Sequence, residues 1–213
     1  MARPRSAKGR ARVVNERLTE EYPEARCELG HANPFELLVA TILSAQCTDA
    51  RVNMVTPQLF ARYPAPQDLA VADPETVEEI IRSTGFYRNK TRSLLGMAKA
   101  LVERFDGEVP GAMADLVTVP GVGRKTANVV RSVALGLPGL PVDTHVTRLS
   151  HLLGLTTESD PVRIEAELNP MMPADQRGPF SLRLILHGRR VCVARRPRCE
   201  ACVLADVCPS SHV

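Results

Sequence analysis

Tryptophan is absent, and three tyrosines with five phenylalanines hold the aromatic share to 4% of 213 residues. That scarcity argues against a binding surface made of many stacked rings. Net charge is low as well, with 27 basic against 24 acidic residues leaving +3. Charge that drives binding must therefore be concentrated locally. No apolar stretch approaches the ~20 residues that a membrane-crossing helix needs. Alternating strands with hairpin turns are missing, which sets β architectures aside. No secretion signal is recognisable, and Cys27 and Cys47 stand isolated. Together these predict a reducing, cytoplasmic setting.

What remains is helical periodicity. Pro34 opens the run PFELLVATILSAQ, whose nearly continuous apolar residues predict a buried helix reaching Gln46. Thr48 and Asp49 start a second helix towards Tyr63, with Pro57 expected to kink or end it. Asp73-Pro74-Glu75 begins a third that Gly85 stops, and a fourth runs from Lys90 to Phe105. Shorter helices are expected over 113–117, 125–135, 144–152, 161–168 and 181–189. The chain reads as all-α, with its domain seam at the prolines and glycines of 136–141. The first twelve residues, MARPRSAKGRAR, hold five basic residues and no acid. They are expected to form a disordered arm that touches nucleic acid, or else an opening helix, in preference to a transit peptide.

Four cysteines close the chain: Cys192, Cys199, Cys202 and Cys208, spaced C-x6-C-x2-C-x5-C. Zinc sites of four cysteines normally show two short knuckles, and only Cys199 and Cys202 form one here. Ferredoxin ligands follow other spacings. A 4Fe–4S cluster is the favoured occupant, with zinc and disulfides as alternatives. Between Gln176 and Cys199 lie seven arginines and no acidic residue, including Arg195, Arg196 and Arg198. Such a patch suits a polyanion.

A second motif is the string Pro120-Gly121-Val122-Gly123-Arg124-Lys125-Thr126-Ala127 between two predicted helices. Gly121 and Gly123 are expected to permit positive φ and close backbone approach, with Val122 plugged into the core. The helix beginning near Arg124 then turns unpaired N–H groups outward, a phosphate site made of peptide. The string resembles the helix-hairpin-helix motif.

Downstream come Val142-Asp143-Thr144-His145, Leu186-His187-Gly188-Arg189 and the cysteine loop, with Leu43-Ser44-Ala45-Gln46 upstream. In this order they resemble the endonuclease III family of helix-hairpin-helix DNA glycosylases/AP lyases, over roughly residues 14–208. The resemblance implies two helical domains flanking a DNA-binding groove. Residues 27–137 would be a six-helix barrel with the hairpin; residues 1–26 and 138–213 would form a discontinuous domain carrying the 4Fe–4S loop. It further implies a monomer of the bacterial nucleoid whose partner is double-stranded DNA with damaged bases or abasic sites.

The implied chemistry begins with base extrusion, because a stacked base hides C1′. Lys125 would be the nucleophile, its free amine favoured by the helix macrodipole and by partial burial. Asp143, eighteen residues on, would cap the next helix and stabilise the developing sugar cation. Gln46 would fill the gap left by the base. Phe86 falls where the family commonly has an aliphatic wedge, so the substrate profile is open at that point. Gly121, Gly123, Arg124, His145, Arg195 and Arg196 would contact DNA, and the four cysteines would hold the cluster in a structural role. The alternatives are a monofunctional adenine- or thymine-mismatch glycosylase and a non-catalytic damage-binding protein.

Overall fold

The computed structural model describes residues 4–213. Among them the secondary structure is helical, with no strand. Packing divides the chain into two units, Cys27–Leu137 and Pro138–Val213 joined by the described residues up to Arg26. The second unit opens with α1 (Ala7–Glu21). Then, within Cys27–Leu137, come α2 (Pro34–Leu43), α3 (Asp49–Arg62), α4 (Pro66–Ala70), α5 (Pro74–Ile81), α6 (Tyr87–Phe105), α7 (Met113–Leu116) and α8 (Arg124–Val133). Finally α9 (Thr144–Leu152), α10 (Pro161–Leu168) and α11 (Arg177–Arg190) complete the second unit.

At the centre of Cys27–Leu137 lies α2, which buries seven of its ten residues. Each such Leu, Ile or Phe contributes about 1.5–3 kcal/mol over its exposed state, so this helix anchors the unit. Asn33 caps it by accepting from the Glu36 N–H at 2.9 Å, and Glu36 in return accepts from Ala32. Around it pack α3, α6 and α8. Seven α-helices occupy this unit, two of them short: the five-residue α4, opened by Pro66, and the single turn α7.

At four places the structure refines or corrects the sequence expectations. Helix α2 ends at Leu43 rather than Gln46, because Ser44 caps it and turns its hydroxyl back onto the Thr41 carbonyl. Pro57 lies inside an uninterrupted α3. Its ring is exposed, and the helix carries on past it. The basic N-terminal arm is helical from Ala7, with Ser6 accepting from the Gly9 N–H at 3.1 Å; residues 1–3 of that arm lie outside the described residues. Helix α1 buries Ala11, Val14 and Leu18 with α11 in the second unit's core. Helix α11 itself begins at Arg177, four residues before the expected start, since Pro179 falls in the first turn where no N–H is needed.

Candidate active site and cluster loop

The hairpin joins α7 to α8. Val122 is 5% exposed and sits in the core of Cys27–Leu137, as a plug between two glycines should. The glycines do different work. Gly121 has φ +78°, and a Cβ there would stand 2.8 Å from the Ser93 Cβ of α6. Gly123 has φ −84° and ψ 171°, ordinary extended backbone, and its α-carbon faces open space. The expectation of positive φ therefore holds at Gly121 alone; Gly123 is the N-cap of α8, where a bare backbone admits a close partner. Gly121→Ala is expected to destabilise the protein by about 2–4 kcal/mol from strain and overpacking. Gly123→Ala should stay within about 1 kcal/mol yet weaken duplex binding about tenfold, by holding a phosphate off the α8 amides. Chemical denaturation and a DNA titration separate the two.

Arg124 and Lys125 occupy the first turn of α8, and both are exposed. The partial burial expected for Lys125 is not present: it lies on the exposed side of a turn whose other side packs Ala127 into the core. Its amine is open to a ligand.

Gln46, Phe86 and Gly121 come together. They line one cleft of about 260 Å³ with Ile42, Ala45, Asn89, Lys90 and Ser93. Gln46 and Phe86 both have left-handed backbone, at φ +53° and φ +47°. Left-handed backbone costs a non-glycine residue on the order of 1–2 kcal/mol and persists where the surroundings enforce it. Phe86 is 64% exposed. Two strained residues thus hold a polar amide and a ring outward at one opening.

In the second unit, Asp143 is the N-cap of α9. Its Oδ1 accepts from the amides of His145 and Val146, each at 2.9 Å. The cap uses one oxygen, and Oδ2 makes no hydrogen bond with the described residues. Capping and chemistry are thus compatible in one carboxylate. His145 gives Asp143 its backbone N–H. Its half-buried ring packs at Gly188 of α11, where a Cβ would stand 2.9 Å from Nδ1 and 3.1 Å from the Arg148 guanidinium. Gly188→Ala is expected to cost about 1–3 kcal/mol by wedging α9 from α11, read as a lower denaturation midpoint.

All four terminal cysteines border one cavity, walled by Leu149, Leu152, Leu153, Val191 and Leu204. All are free thiols, which removes the disulfide alternative. The donor set fits an anionic sulfur cluster. The Leu204 amide donates to Cys202 Sγ at 3.4 Å, and His187 Nε2 lies 3.3 Å from the same sulfur. The Tyr22 hydroxyl stands 3.2 Å from Nδ1 and, by donating to it, leaves the imidazole N–H on Nε2. Burial pushes His187 down to about 4, keeping the ring neutral near pH 7. Burial also pushes the Cys192 and Cys202 thiols up, so metal binding must displace their protons.

The arginine patch is smaller than its sequence count suggested. Arg183 is buried, bonded to Asn15 Oδ1 at 3.2 Å, and Arg177 donates to the Asn169 carbonyl. Arg198 turns back to the Arg190 carbonyl and closes the loop. Arg195 and Arg196 remain exposed without a hydrogen bond or ion pair to the described residues. Sequence reasoning missed Arg148, which donates to the carbonyls of Gly188 and Cys192 at 3.0 and 2.7 Å. It also missed Tyr22 and Lys90. A lysine at an apolar helical position was the available signal for Lys90; nothing local marked the other two.

Comparison with known proteins agrees with this arrangement. Residues 39–173 match the family model of HhH-GPD superfamily base excision DNA repair proteins. Residues 192–208 match the iron-sulfur binding domain of endonuclease III, and this segment carries the 4Fe–4S cluster. The chain is 54% identical over 208 residues to endonuclease III of Synechocystis sp., covering 97% of this chain and 95% of that one. It is 46% identical over 194 residues to endonuclease III of Bacillus subtilis, covering 91% and 89%. A solved endonuclease III, trapped as a covalent intermediate with DNA, shares the fold with a TM-score of 0.89 at 43% identity, covering 95% and 96%. By sequence, fold and cluster segment, the chain belongs to the endonuclease III family of the HhH-GPD superfamily.

Proposed function

We propose a division of labour for this base excision repair glycosylase and AP lyase in which Lys125 is the nucleophile and Asp143 its charged partner. The substrate is duplex DNA carrying an oxidised or ring-saturated pyrimidine, or an abasic site. Gln46 fills the gap left by the extruded base, and the exposed Phe86 wedges into the stack beside it. The amides at Gly121, Gly123 and Arg124 take a phosphate, and Arg195, Arg196 and His145 add contacts to the backbone. The enzyme acts as a monomer in the bacterial nucleoid.

The reaction starts with the unprotonated amine of Lys125. Its lone pair forms a bond to C1′ while the C1′–N bond breaks, and the base leaves with the bonding pair. The Asp143 carboxylate, through its free Oδ2, stabilises the positive charge growing on the sugar and handles the lysine proton. Ring opening gives a Schiff base. Loss of a C2′ proton then expels the 3′ phosphate with the C3′–O bonding pair, nicking the strand. Cys192, Cys199, Cys202 and Cys208 hold the cluster, which when bound closes the 192–208 loop and presents Arg195 and Arg196.

The observation that carries this reading is an exposed lysine in the first turn of the helix behind a phosphate-binding hairpin. The test is borohydride reduction on a duplex with one abasic site. A covalent protein–DNA adduct is expected. Tight binding without an adduct would overturn the amine mechanism in favour of an activated water.

A further inference from the structure

Lys90 is a charged residue in a place that favours apolar ones. It lies on α6 and is 5% exposed. Burial lowers its readiness to hold a proton. An ammonium taken out of water costs several kcal/mol unless it is well paired. Among the described residues its side chain makes one hydrogen bond, from Nζ to the Thr84 carbonyl at 2.8 Å. A stability-driven core would carry leucine or methionine here, so the role of the charge is to be sought in what that carbonyl controls.

Thr84 is the last residue of the 3₁₀ turn Arg82–Thr84, and it is 2% exposed. Its hydroxyl donates to the Ile81 carbonyl at 2.8 Å, and the Gly85 amide returns to Arg82. Gly85 follows at φ +72°, then Phe86 at φ +47°. The Lys90 amide donates to the Phe86 carbonyl at 3.1 Å. One residue thus grips the turn on both sides of Gly85, with its ammonium before and its amide after. Between these two grips the chain holds two consecutive left-handed residues, the second of which exposes a phenyl ring. Lys90 also lines the cleft that Phe86 shares with Gln46 and Gly121.

We propose that Lys90 is the positioning residue for Phe86: its ammonium fixes the Thr84 carbonyl and so locks the strained turn that keeps the ring aimed outward for insertion into DNA. The inference rests on the wedge reading of Phe86 given above. It deepens that reading by naming the device that holds the wedge ready before DNA arrives. Without the ammonium, Gly85 and Phe86 relax out of the left-handed geometry, and the ring must be reordered at each binding event.

The decisive comparison is a double-mutant cycle in the full holoenzyme, reading insertion by 2-aminopurine fluorescence beside an abasic site. Phe86→Ala should abolish most of the insertion signal. Lys90→Met should lower the insertion equilibrium about tenfold or more, the scale of one charge-assisted hydrogen bond. Its unfolding temperature should match or exceed that of the parent, because a buried charge has been replaced by a side chain of similar size. In the Phe86→Ala background, Lys90→Met should have no further effect on insertion. A silent Phe86→Ala would sink the wedge reading itself. A strong Phe86→Ala with a silent Lys90→Met, or with effects that simply multiply, would sink the role of Lys90 and leave the wedge standing. Should Lys90→Met melt early, Lys90→Gln keeps an N–H donor without the charge and repeats the cycle. If that variant too loses stability in step with insertion, Lys90 is an ordinary structural residue.

Discussion

Lys125→Ala is expected to eliminate the borohydride-trapped adduct and to slow strand nicking by about 10³-fold or more. Duplex affinity should fall by less than about tenfold, because one phosphate contact among many is lost. The separation follows from position. Lys125 is exposed in the first turn of α8 and is absent from the packed cores of both units, so its removal costs no packing. The phosphate site proposed above uses backbone at Gly121, Gly123 and Arg124, so it should survive the change. Lys125→Arg sharpens the result. A guanidinium keeps the positive charge but does not deprotonate in a protein and so has no lone pair to offer. It should bind like the parent enzyme and trap nothing. Adduct formation or normal nicking by the arginine variant would place the nucleophile elsewhere. Asp143→Asn should behave differently again. Asparagine caps a helix about as well as aspartate, so α9 should keep its start while turnover falls about 10²–10⁴-fold.

Much of this was legible before any coordinates, for reasons that differ by residue. The α2 helix announced itself because Leu37, Leu38, Val39, Ala40, Ile42 and Leu43 are all buried in one contiguous stretch. Its end was misplaced because Ser44 bends the chain through a side-chain hydrogen bond that no propensity encodes. The hairpin was recognisable from its glycines, yet only packing against Ser93 shows that one of them is demanded by conformation and the other left bare. Lys125 was placed on the right helix turn, but its exposure depends on which side of α8 packs against the core, where Ala127 is buried and Lys125 is not. Arg183 counted towards a basic patch in sequence and turned out to be buried against Asn15, 168 residues away along the chain. Contacts of that range are set by tertiary packing. The same is true of Tyr22 meeting His187 and of Arg148 meeting the Cys192 carbonyl.

Cys199→Ala carries the second large effect. Loss of one cluster ligand is expected to leave the purified protein without iron and to weaken duplex binding by roughly 10–100-fold, while the helices of Cys27–Leu137 stay folded. The loop should not come apart uniformly. Leu204 and Val207 are 1% and 2% exposed in the second unit's core, and Arg17 pairs with Asp206. Those anchors are independent of metal, and the two apolar side chains alone contribute about 3–6 kcal/mol. Residues 193–200 have no such hold. None of them is buried, and Arg198 is held by polar contacts alone, its guanidinium to the Arg190 carbonyl and its amide to the Val191 carbonyl. Hydrogen exchange on the full chain should therefore show amides 193–200 losing protection while Leu204 and Val207 keep theirs. Arg195 and Arg196 lie within the freed stretch. If each supplies one phosphate contact, the slope of log affinity against log salt should become shallower by about 1.8, at 0.9 per contact. A variant that binds DNA with an unchanged slope would show that these two arginines work without the cluster, and that closure of the loop serves the fold of the second unit alone.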